Sequence, residues 1–235
     1  MKQSQKSVLT ILGIFAAIII LIAGYGRVVF SKVDVTELSS EERIMIQTNL
    51  TNFNSIDASG DWSIELTQGE TWAVETNSLE NVKGKISITV EDGTLLLKQR
   101  STGFWFNFDN SDLIATVTMP ELTSLDLSGA VEAQISGFNG EQLTIDSAGA
   151  VDLEADNSKY NELTIDSAGA VDINFKGMVV TNATVDLSGA ADITLNMNGG
   201  ELSGSLSGAG DIDYYGTVSS ESIKVAGAGD ITHKK

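Results

Sequence analysis

From Leu122 to Ile231 apolar and polar residues alternate, the pattern of strands with one buried face. The alternation comes in successive segments: LDLSGAVEAQI, LTIDSAGAVDLEA, LTIDSAGAVDINF, ATVDLSGAADITL, GSLSGAGDIDY and IKVAGAGDITH. Each segment carries a glycine, at Gly129, Gly149, Gly169, Gly189, Gly208 and Gly227, with spacings of 20, 20, 20, 19 and 19 residues. Four residues before these glycines stand Leu125, Ile145, Ile165, Val185, Gly204 and Ile223. Four residues after them stand Ala133, Leu153, Ile173, Ile193, Ile212 and Ile231. A fixed period near 20 with β-type residues predicts units that bury their inward faces only on one another. The fold class expected is all-β: a parallel β-helix or solenoid of 20-residue coils, right-handed because parallel crossovers run that way. The glycine between two short apolar runs predicts a bend with positive φ, or close approach of the neighbouring coil.

Between Phe53 and Pro120 the pattern is β but irregular. Ile56-Asp57-Ala58-Ser59-Gly60 reads as an early copy of the same segment, followed by inward Trp62, Ile64 and Leu66. Ile86 to Val90 and Thr94 to Lys98 read as strands joined through Asp92-Gly93, a hairpin signal. Residues 53–235 are therefore expected to form one β-helical domain. Residues 31–52 read as a connector, with Ser39 or Ser40 able to cap a short helix. The uncharged run from Ser7 to Gly26 follows Lys2 and Lys6. At ~1.5 Å per residue, twenty residues cross ~30 Å, about a bilayer core. Residues 1–30 thus read as a membrane anchor, a transmembrane helix, with a cleaved signal segment as the rival. Either sends the domain to the periplasm or the cell surface, or secretes it after cleavage.

Charge narrows the partners. The chain has a formal net charge of −18, and beyond Val33 its 32 acidic residues face ten Lys or Arg. Such a surface repels nucleic acid and anionic lipid and attracts cations or basic partners. The absence of cysteine excludes disulfides, thiol catalysis and cysteine zinc sites.

The words Phe53-x-x-Ile56-x-x-Ser59-Gly60, Ile64-x-Leu66-x-x-Gly69, Asp92-Gly93-x-Leu95 and Pro120-x-Leu122 precede the Ser-Gly-Ala and Ala-Gly-Ala-Asp steps. In this order they resemble the bacterial head-GIN-domain family, described as auto-transporter adhesins, over about four fifths of the chain. The resemblance implies a secreted or surface β-helix with an adhesive role and no catalytic residues to carry over.

Two acidic columns follow from the period: Asp126, Asp146, Asp166 and Asp186 before the glycines, and Glu132, Asp152, Asp172, Asp192, Asp211 and Asp230 after them. Their odd offsets point them to solvent, ~4.8 Å from their neighbours. They read as a hydrated ladder that discourages edge pairing, rather than as a calcium site. No metal and no cofactor is expected. An enzyme acting on polysaccharide could be built on acids ~9.6 Å apart, two coils along. A uniform ladder lacks the one unusual carboxyl such chemistry needs. His233 reads as a frayed terminal residue. Phe104, Trp105, Phe106 and Phe108 form an aromatic word that is either a binding platform or a plug over the first coil. The function expected is non-enzymatic binding or scaffolding of a protein or glycan at the envelope, with the membrane contacted through the N-terminal helix. The alternatives are a polysaccharide-acting enzyme and a membrane-anchored envelope regulator.

Overall fold

The alternating segments become strands in the computed structural model, which describes residues 43–79, 85–99 and 113–235. Among the described residues these are β1 (Arg43–Thr48), β2 (Ser55–Gln68), β3 (Ala73–Leu79), β4 (Ile86–Glu91), β5 (Thr94–Gln99), β6 (Leu113–Met119), β7 (Ser124–Ser136), β8 (Asn139–Asp156), β9 (Ser158–Asn198), β10 (Glu201–Ala209), β11 (Ile212–Thr217), β12 (Ser220–Val225) and β13 (Ile231–His233). They form one 13-stranded sheet in the order β1-β3-β6-β2-β7-β8-β9-β10-β12. β11 joins β9 and β13, and β5 joins β2 and β4.

This mixed sheet corrects the expectation of a parallel β-helix. β1 pairs with β3, β3 with β6 and β4 with β5 in antiparallel fashion. A two-residue reversal can join only antiparallel strands, and Asp92 and Gly93, with φ of 47° and 79°, make such a turn between β4 and β5. β1 lies inside the stretch read as connector. Alternation and glycine spacing report which face of a strand is buried, and do not report the direction of its neighbour. The transmembrane helix expected at residues 1–30 lies outside the described residues. Among the described residues no helix is long and apolar enough to cross a membrane.

The remaining pairs run parallel. β7 and β8 pair with Gly129 beside Gly149, and β8 and β9 with Gly149 beside Gly169. The register carries every column of like residues into line. Leu125, Ile145, Ile165 and Val185 are fully buried, as are Leu153 and Ile173. Burying each such side chain stabilises the fold by ~1.5–3 kcal/mol. Polar groups buried within these parallel strands find partners. Ser147 donates to the Ser167 hydroxyl at 2.8 Å, and the Tyr160 hydroxyl donates to the Leu122 carbonyl at 2.9 Å.

Candidate functional site

The glycines expected to bend the chain do so within continuous strands rather than between them. Gly149 and Gly169 have φ of 126° and 150°, a region L side chains rarely occupy. A methyl added to Gly169 would also run into the Gly149 carbonyl oxygen. The bend therefore depends on glycine twice over, for its dihedral and for the closeness of the neighbouring backbone. It splits the outer surface into two polar faces, one for each acidic column.

Both columns are exposed. On the first face Lys98 grips both carboxylate oxygens of Asp57, at 2.7 and 2.6 Å. Partial desolvation raises the Asp126 pKa, and the charges of Asp57 and Asp146 raise it further, while Lys98 opposes them. On the second face desolvation again acts first on Asp152, then the charges of Asp172, Glu132 and Glu154. Asp172 is raised by desolvation, then by Asp192 and Glu154. These carboxyls are harder to ionise than isolated ones, first because each is partly desolvated and then because like charges stand beside it. Among the described residues no three His, Cys, Asp or Glu side chains converge as a metal site.

The second face also holds a solvent-open recess of about 290 Å³. The pairing that sets Glu154 beside Asn174 builds it. Asp156, Lys176, the Ala155 backbone and Gly177 complete its lining. A Cβ at Gly177 would strike the Asp156 carboxylate and the Ala155 carbonyl, so glycine keeps this corner open. The Lys176 ammonium sits over the Tyr215 ring, 4.4 Å from its centre. That is the geometry of a cation–π contact. Sequence reading missed the recess because its members sit twenty residues apart at polar offsets; the one signal was Gly177 interrupting an otherwise regular strand.

At the C-terminal end His233 is held rather than frayed. Its ring stacks on Tyr214 with centroids 4.7 Å apart, and its Nε2 lies 2.8 Å from the Gly216 carbonyl oxygen. The Tyr214 hydroxyl donates to Glu221 at 2.7 Å, and this bond raises its pKa. Glu221 stands in register with buried Leu202 but is itself exposed, so a carboxylate follows the apolar column at the end of the sheet order. The aromatic residues Phe104, Trp105, Phe106 and Phe108 lie outside the described residues.

A family model described as "Putative auto-transporter adhesin, head GIN domain" matches residues 52–181 and 164–235. The chain belongs to the head GIN domain family. Two solved structures share the fold of this head GIN domain. One, described as a "putative adhesin" from Bacteroides fragilis, is 21% identical with a TM-score of 0.67, over 83% of this chain and 98% of that one. The other, described as a "Putative lipid binding protein" from Parabacteroides distasonis, is 18% identical with a TM-score of 0.51, over 81% of this chain and 96% of that one. No curated protein matches the chain.

Proposed function

We propose that this head GIN domain is a non-catalytic binding or scaffolding component of the bacterial envelope, engaging a protein or glycan with its outer faces. The family's description as adhesins supports the reading. The observation that carries it is the uniformity of the exposed carboxylates. Hydrolytic chemistry sets one carboxyl apart from its partner by environment. Here the register sets exposed carboxylates side by side, Asp126 beside Asp146 and Asp152 beside Asp172, and none of the column acids is buried. A row of equivalent groups on a rigid sheet suits recognition of an extended partner. The uncharged run from Ser7 to Gly26 supports export and tethering through the N-terminus.

A glycan and protein array probed with the full chain tests the proposal. Selective retention of one ligand class at moderate salt, without turnover of that ligand, is the outcome expected. Cleavage of an arrayed polysaccharide would refute it.

A further inference from the structure

The recess on the second face makes more specific demands than the face around it. Its carboxylates, Glu154 and Asp156, accept no side-chain hydrogen bond and no ion pair among the described residues. The Asn174 Oδ1 accepts from the Lys176 backbone N–H at 3.4 Å, and among the described residues its NH2 group donates to no protein acceptor. Lys176 does not neutralise either acid: its ammonium is drawn away to the Tyr215 ring. The recess thus offers several acceptors and a planar double donor around a glycine-cleared corner. A half-exposed aromatic ring lies two strands further on, beyond Asn196, which pairs with Tyr215.

We infer that this recess is a saccharide subsite, taking one uncharged pyranose ring of a longer glycan with a neighbouring ring reaching toward Tyr215. The inference rests on the binding reading above and deepens it. Vicinal hydroxyls are donors and acceptors at once. They suit adjacent carboxylates and a carboxamide that can be bonded simultaneously. A volume of about 290 Å³ holds a single sugar ring and little more. Charge selects among sugars. Glu154 and Asp156 border the row containing Asp152 and Asp172, so uronate-bearing glycans meet like charge at short range. Neutral rings do not. An open subsite of this size holds its ligand weakly, with a dissociation constant on the order of 1–10 mM, and repeated engagement along a polymer would raise the avidity.

Amide-resolved NMR titration of the full chain tests this with three probes: the neutral trimer of N-acetylglucosamine, neutral mannotriose and anionic trigalacturonate. At least one neutral trisaccharide should shift the amides of residues 174–177 and Tyr215, at low and at moderate salt alike. Asn174→Ala should weaken that response about fivefold or more, since the carboxamide supplies the double donor. The control Asp211→Asn, on the same face but away from the recess, should leave it unchanged. Trigalacturonate should produce no localised shift. Absence of shifts with both neutral probes, or shifts indifferent to Asn174→Ala, would overturn the site. Array binding that survives Asn174→Ala would overturn it too, while leaving the broader binding role standing.

Discussion

At the scale of single residues the line of glycines is the most exacting feature. Gly169 combines a positive φ with a neighbouring carbonyl where a side chain would have to go. Gly169→Val should cost ~3 kcal/mol or more, read from denaturant unfolding, because dihedral strain and steric overlap add. A loss of a few tenths would mean that the strand bends elsewhere. Asp152 and Asp172 behave differently. Their raised pKa values mean that the folded state holds their protons more tightly than the unfolded chain. They contribute stability at low pH that is lost as pH rises from about 4 through their raised values. Changing both to asparagine should raise stability at neutral pH by a few tenths of a kcal/mol, the scale of relief between exposed charges. The gain should vanish below about pH 4, and melts across a pH series would show whether it does.

At the scale of elements, register decides the outcome. β8 and β9 pair from Asn139 beside Lys159 to Glu154 beside Asn174, so each partner lies twenty residues on. Deleting residues 150–169 joins Gly149 to Ala170 and brings identical Ala-Val-Asp sequence into place. That variant should unfold cooperatively and keep its β circular dichroism. Deleting Ala150 alone should not, because a one-residue slip turns Val151 and Leu153 outward. This scale also marks where the sequence is readable. Inward positions such as Ile145 and Ile165, the positive-φ glycines and the Asp92-Gly93 turn each follow from a few adjacent residues. The antiparallel placement of β1, β3 and β6 does not, since it depends on which distant strand wins the pairing. Arg43–Thr48 contains the alternation of Ile44 and Ile46, yet six residues of it carry no signal of a partner at β3. The recess was hidden for the same reason: Glu154 and Asn174 meet only through pairing.

At the scale of the whole molecule, charge dominates. A net charge of −18 should make the fold gain stability with added salt, as screening relieves self-repulsion. The exposed columns supply carboxylates from one side, without the carbonyl oxygens calcium prefers. Calcium and magnesium at matched ionic strength should therefore raise the melting temperature equally. A calcium-specific rise lost on changing Asp152, Asp172 and Asp192 to asparagine would show a true site. The C-terminal end has a separate bearing on how copies behave together. Parallel strands in register are the arrangement found in fibrils, and an uncovered last strand is a seed for the next chain. β12 ends the sheet order here, with Val225 42% exposed. Glu221, exposed in register with buried Leu202 and held by Tyr214, sets a charge where an incoming strand would bury its side chain. Glu221→Leu should convert a dispersed protein into one that sediments with rising concentration and binds amyloid dyes. Wherever copies of the chain are crowded together, that carboxylate would then help keep neighbouring molecules from zipping into one another.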